Sequence, residues 1–204
     1  MFYSFEQAKG YKNVWYNQKY VHSEVIHCPK YPGHQRGHRI ARSLHVEFKS
    51  KKKADIYETS YSNWLIPDKV AEAFTDAGLP GCEFRPVDFV GIDLSGNLWE
   101  LVATGTAGQP DPVCGMDFVR RCEYCGSTQY RHFRESTGLM VDENNWDGSD
   151  FFTVIPLPMI LLATKRVKEI IKKNKFKGAT LIPTTELGVC FHTGEDDRGE
   201  VSPC

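Results

Sequence analysis

Cys122 and Cys125 frame two residues and are followed at once by Gly126, in the stretch RRCEYCGSTQYRHF from Arg120 to Phe133. Two thiolates at that spacing can share one metal ion, because the turn between them aims backbone N–H groups at the sulfurs. Gly126 suits such a turn, which needs a residue tolerant of positive φ. A redox pair is the competing chemistry. It calls for the first cysteine at a helix N-terminus, whereas GSTQYRHF predicts a strand. A metal-free turn is the third reading.

A closed zinc site needs four ligands, and the chain has no second CxxC. The best source of the missing half is HCPKYPGHQRGH, residues 27–38, with Cys28, His27, His34 and His38. Cys28-Pro29 opens like a second knuckle, but Tyr31 stands where its partner thiol would be. A structural zinc on Cys28, Cys122, Cys125 and His34, with His38 or His27 as the alternative fourth ligand, is chemically sound. Cys82 and Cys190 sit among apolar or small residues and read as buried, inert thiols.

Other charged groups are less specific. Arg36, His38, Arg39, Arg42, Lys49, Lys51, Lys52 and Lys53 form a basic cluster, read either as a phosphate-binding patch or as a solvated hairpin tip. In DENNWDGSD, residues 142–150, four carboxylates (Asp142, Glu143, Asp147 and Asp150) surround Trp146. A tryptophan ringed by carboxylates at the surface has the look of an interface hot spot. A second acidic tract holds Glu195, Asp196, Asp197 and Glu200. No HExxH, glycine-rich phosphate loop or GxSxG element occurs, so the sequence makes no case for an enzyme.

The elements that must carry these groups follow from pattern. SLHVEF alternates like a half-buried strand. SNWLIPDKVAEAFTDAG predicts a helix with Pro67 and Asp68 in the first turn and Gly78 as its stop. CEFRPVDFVGIDL and LWELVAT predict strands joined at Ser95-Gly96-Asn97. Met159–Ala163 reads as a buried strand, Thr164 as an N-cap, and Val167, Ile170 and Ile171 as one face of a second helix. Residues 28–43 and 142–150 read as loops. Residues 69–91 align without gaps on residues 166–188, with Val70 on Val167, Glu72 on Glu169, Gly81 on Gly178 and Pro86 on Pro183. The fold class expected is therefore α+β: a mixed sheet with two related strand–helix–strand units and a zinc-ribbon-like knuckle. One domain over residues 1–204 is expected, its halves near 44–105 and 150–190, with a cysteine-knuckle insert near 114–135.

The totals agree with an ordinary globular chain: 204 residues, 41% hydrophobic, 25% charged, net charge -1. A near-neutral total gives no global field toward nucleic acid or membrane. The N-terminus lacks a basic segment leading into an apolar run, and no apolar run is long enough to span a bilayer, so a cytoplasmic protein without a membrane partner is expected.

A half-knuckle near the N-terminus, a CxxCG in the second half, GLPGCEFRP between them, and SDFFTVIPLPMILLATKRVKEIIKKNKFKGATLIPTTEL at the end resemble the double-CxxCG motif proteins of bacteria. The tail is similar to immunity proteins of polymorphic-toxin systems, and the likeness spans residues 15–188. The resemblance implies a cytoplasmic antidote that binds a cognate toxin domain stoichiometrically, a structural zinc, and no catalytic residues. The chain departs from the pattern at Tyr31 and in the displaced Gly33. The expected toxin-facing residues are Asp142, Glu143, Trp146, Asp147 and Asp150. The alternative function is a zinc-ribbon nucleic-acid-binding protein that uses the basic cluster.

Overall fold

The computed structural model describes residues 1–11, 13–17, 19–20, 23–31, 35–40, 44–114, 118–124, 128–130, 138–155 and 157–187. In chain order the strands up to the first helix are β1 (Phe2–Gln7), β2 (Trp15–Tyr16), β3 (Ser23–His27), β4 (Gln35–Ile40), β5 (Leu44–Glu47), β6 (Tyr57–Glu58) and β7 (Trp64–Pro67). Helix α1 (Asp68–Asp76) follows, then β8 (Cys82–Val90), β9 (Leu98–Ala103), β10 (Gly105–Thr106), β11 (Phe118–Arg121), β12 (Thr128–Tyr130), β13 (Phe151–Val154) and β14 (Leu157–Thr164). Helix α2 (Lys165–Lys173) and β15 (Ala179–Pro183) close the described chain.

The class is α+β with mixed sheets. One sheet has the order β10-β13-β14-β1-β15 and the other β2-β5-β8-β9-β7-β6. Two separate two-stranded pairs, β3 with β4 and β11 with β12, stand apart from both. Each helix runs between two parallel strands that flank an antiparallel one: β9 lies between β7 and β8, and β1 lies between β14 and β15. The two helices start 97 residues apart, at Asp68 and Lys165.

The helices form where the sequence punctuates them. Pro67 supplies the extended N-cap of α1, and Gly78 ends it at positive φ. Val70, Ala71 and Phe74 turn inward from α1, as Val167 and Ile171 do from α2. They meet Tyr3 and Phe5 of β1, Trp64 and Ile66 of β7, and Phe151 and Leu161 of the other sheet in one apolar cluster. That cluster joins both sheets and both helices, so burial of apolar area ties the two halves into one core. A second cluster lies on the opposite face of the six-stranded sheet around Leu44, Val46, Leu65 and Leu98. A third surrounds Phe2, Leu139, Phe152 and Leu162.

Three expectations need correction. Residues 28–43 are not all loop: Gln35–Ile40 is a strand paired with β3. Among the described residues that strand pairs with β3 alone. The strand through Met159 is buried only from Leu161 to Ala163, and Met159 itself is exposed. Thr164 is the N-cap residue of α2 by backbone, but its hydroxyl donates to Asp150 rather than capping the helix.

Candidate metal centre and partner surface

Cys28 follows directly on β3, and Cys122 follows directly on β11. The two residues are 94 positions apart in sequence, yet their sulfurs lie 3.9 Å from each other. Bonds of about 2.3 Å to a tetrahedral zinc would hold two sulfurs about 3.8 Å apart. The separation therefore fits two ligands of one ion. Cys28 is buried, and the Tyr31 backbone N–H donates to its sulfur at 3.3 Å. That bond fixes where the Cys28 sulfur sits beside the start of the half-knuckle.

The two half-knuckles also touch through their other residues. The Tyr31 and Tyr124 rings meet edge to face, with centroids 6.0 Å apart. Lys30 Nζ donates to the Tyr124 hydroxyl at 2.5 Å and lies 4.2 Å from the ring centroid. So Tyr31, three residues after Cys28, faces Tyr124 beside Cys122, and its own N–H serves Cys28. Cys125 and His34, the other two expected ligands, lie outside the described residues. His38 stands on β4 opposite Val25, and His27 is exposed at the end of β3. Among the described residues no group of three metal-binding side chains gathers. Cys28 and Cys122 alone are brought within reach of one ion among the described residues, and a metal there would cross-link the β3–β4 and β11–β12 pairs.

The other thiols belong to the interior. Cys82, against α1, is half-buried, and burial pushes its thiol up to about 11. Cys114 is buried, takes the Met140 N–H on its sulfur at 2.8 Å, and is likewise raised by burial. Both are poor thiolates at neutral pH, as the sequence suggests for Cys82.

The 142–150 loop is a loop, as expected, but Trp146 is not laid open on it. Its indole N–H donates to the Ser149 carbonyl at 3.0 Å. Its ring packs edge-on against Phe2 at 5.1 Å and tilted against Phe152 at 6.1 Å. The residue anchors the loop to the third apolar cluster. Asp150 is buried, and it accepts from Arg166 Nη1 at 2.6 Å and from the Thr164 hydroxyl. Asp147 accepts from the N–H groups of Thr106 and Ser149, which hold its carboxyl below the ordinary value against the upward pull of desolvation. Asp142 accepts from Asn144 and Asn145. Glu143 is exposed. The spacing that suggested a ring of free carboxylates is, for Asp142, Asp147 and Asp150, the signature of side chains that hold turns together.

The basic cluster is also partly engaged. Lys49 pairs with Glu47 at 2.5 Å, and Lys52 reaches the Gly10 carbonyl at 2.9 Å and the Tyr11 ring. Arg42 and the acidic tract at residues 195–200 lie outside the described residues, as do Cys190 and Cys204.

Two arrangements escape sequence reading. Glu100, buried in the centre of β9, accepts from Asn63 Nδ2 at 2.7 Å. Asn63 Oδ1 in turn takes the Tyr16 hydroxyl, whose pKa is pushed up to about 12 by burial and then by the Glu100 carboxylate. The other is Trp15, exposed on the edge strand β2 beside Glu47 on one face of the six-stranded sheet. The alternation of His45 and Glu47 with Leu44 and Val46 marks that face in the sequence. What it leaves open is which aromatic rings lie beside it, because β2 reaches β5 from 28 or more residues upstream.

No helix among the described residues is long and apolar enough to cross a membrane. Comparison with protein-family models gives no match to this chain, and comparison with curated proteins gives none either.

Proposed function

We propose that this chain is an immunity protein, which neutralises a cognate bacterial toxin by binding it directly and stoichiometrically in the cytoplasm. One observation carries the reading: Cys28 and Cys122, from two half-knuckles far apart in sequence, face each other at 3.9 Å. That is the arrangement a double-CxxCG protein requires, and the immunity role comes with that resemblance. On this reading a structural zinc binds Cys28, Cys122, Cys125 and an imidazole, His34 first and His38 or His27 otherwise. The matching crossovers around α1 and α2 support two related strand–helix–strand units within one domain. An inhibitor of this kind needs shape and charge complementarity rather than a reacting group.

The test is co-expression with a candidate toxin domain taken from the coding region next to this chain's own. Cells carrying both are expected to grow, and cells carrying the toxin domain with an empty vector are expected to die. Equal killing in both overturns the reading. Metal content answers the zinc question separately: one zinc per purified chain, lost in Cys122→Ser, is the expected result, and a folded chain without metal removes the site.

Nucleic-acid binding draws on one observation of its own. Residues 165–177 carry seven Lys and Arg against the single acidic Glu169, which leaves the rest of the chain at net -7. A short duplex that shifts in a gel at low salt, with log K falling steeply against log salt, would favour that reading. No shift at low salt removes it.

A further inference from the structure

Lysines from three distant segments meet around Gly178. The Lys177 carbonyl accepts from the Asp55 and Ile56 N–H groups at 2.8 and 2.9 Å. The Gly178 carbonyl accepts from the Ala8 N–H at 3.0 Å and from Gln7 Nε2 at 2.7 Å. A Cβ at Gly178 would stand 2.8 Å from Ala54 Cβ, so the segment before β6 lies directly against this junction. Lys9 follows Ala8, Lys53 precedes Ala54, and Lys177 precedes Gly178, which brings one lysine of each segment to the same place. Lys51 extends the surface along the second segment. Lys172, Lys173 and Lys175 extend it back to the last turn of α2, where the Lys175 N–H donates to the Lys172 carbonyl at 3.1 Å.

All of these lysines are exposed, and among the described residues none of their ammonium groups meets a carboxylate. Residues 8–10, 51–54 and 170–178 contain no Asp or Glu at all. The two carboxylates that flank them are engaged. Asp55 accepts from Lys69 Nζ and from the Lys177 N–H, and Glu169 pairs with Lys165 at 3.6 Å. The surface therefore calls for a polyanion, and its composition says which. A protein interface is built on a desolvated aromatic or aliphatic anchor, with lysine depleted. Here Ile170 and Phe176 are partly buried against the core, and Lys52 covers the Tyr11 ring with its Nζ 3.9 Å from the centroid. Phosphate-backbone binding needs no such anchor, because it draws on counterions released as ammonium groups neutralise phosphates. Unpaired bases would need an exposed ring to stack on, and these segments present none among the described residues. A duplex backbone is the polyanion that fits.

We infer that this three-segment lysine surface binds the phosphate backbone of a nucleic-acid duplex without regard to base sequence. The inference rests on the nucleic-acid reading, names the surface that would perform it, and is independent of the immunity reading. Neither lysine run suffices alone. The fold doubles the local charge by docking the segment before β6 against the turn that follows α2.

Fluorescence anisotropy of a labelled duplex of arbitrary sequence, titrated with the full chain over a range of salt, tests the inference. The variants are Lys53→Glu, Lys173→Glu and, as the contrast, Lys19→Glu, which makes the same charge change at an exposed lysine outside the three segments. Lys53→Glu and Lys173→Glu are each expected to weaken binding by about 10-fold and to reduce the slope of log K against log salt by about one. Lys19→Glu is expected to stay within about 2-fold of the wild type, since a charge change away from the phosphates is largely screened. A wild type that binds while Lys53→Glu and Lys173→Glu lose no more than Lys19→Glu overturns the surface and leaves the nucleic-acid reading in place. A wild type that binds no duplex at low salt overturns both. A single strand of the same length bound more tightly overturns the duplex assignment. Poly-glutamate of equal charge that displaces the duplex as well as unlabelled duplex does makes an acidic protein segment the occupant and overturns it too. A concentration-dependent dimer in sedimentation, dissolved by Lys173→Glu, makes the acidic surface of a second copy the occupant, with the same consequence.

Discussion

Asp150 shows how a surface carboxylate on paper becomes a structural one. Its oxygens take the Arg166 guanidinium and the Thr164 hydroxyl, from the start of α2, while its own N–H donates to the Pro80 carbonyl after α1. It thus links the end of one helix to the start of the other. Asp150→Ala should cost about 2 kcal/mol, the range for hydrogen bonds to a charged group, moderated because Arg166 reaches solvent and rehydrates. Asp150→Asn should cost less. Urea denaturation reads both, and an Asp150→Ala loss below about 0.5 kcal/mol would show that the pair holds nothing. Glu100 makes the opposite case. Burial raises its carboxyl above the ordinary value. The folded chain then binds that proton more tightly than the unfolded chain, so this group's contribution to stability falls as pH rises from the ordinary value of 4.5 through the raised one. Glu100→Gln keeps an acceptor for Asn63 and removes the charge. Its melting temperature should decline less than the wild type's from about pH 4.5 to 7 and should be no lower at neutral pH. Parallel pH profiles for the two proteins would exclude Glu100 as the titrating group.

Elements were legible where short-range chemistry defines them. Pro67, Asp68 and Gly78 mark the limits of α1 without help from the rest of the chain, and α2 repeats the apolar spacing. The β8–β9 pair follows from alternation around Ser95-Gly96-Asn97. Pairings between distant segments were not legible. Nothing in FYSFEQ says that β1 inserts between β14 and β15, because that choice depends on which apolar faces remain after the helices pack. The same limit hid the site. CxxC spacing pointed to Cys122, and the half-motif to Cys28, but Trp146 and Trp15 look alike as polar-flanked tryptophans, and only tertiary contacts bury the first and expose the second. Glycines separate the two levels. Gly78 has a positive φ and open space around it, whereas a Cβ at Gly178, also at positive φ, would overlap the Ile56 carbonyl oxygen. Gly78→Ala should cost about 1 kcal/mol, the penalty for a left-handed alanine. Gly178→Ala should cost more than twice as much, since the backbone of the segment before β6 must also move. Equal losses in chemical denaturation would mean that the close approach is relieved at no cost.

At the scale of the whole molecule, two kinds of cohesion divide the work. The three apolar clusters bind the large sheets and both helices. Among the described residues the β3–β4 and β11–β12 pairs share no ladder with those sheets. A two-stranded pair alone is marginal in water, so these two need another source of order. The Cys28–Cys122 approach places one between them. A bound zinc would contribute its binding free energy to that local structure, while burial would go on holding the rest. The two parts should then come apart separately. Stripping metal with a chelator should release hydrogen-exchange protection at residues 23–27, 35–40, 118–121 and 128–130, and should leave the amides of Phe151, Phe152 and Leu162 protected. Cys122→Ser should reproduce that pattern without chelator, and a Cys82→Ser control should not, because Cys82 lies against α1 away from both pairs. Protection that survives chelation at all four strands would mean that contacts such as Lys30 on Tyr124 suffice, and that the knuckles hold together without a metal. Protection lost everywhere at once would mean that the pairs and the main core are one cooperative unit, with the metal essential to both.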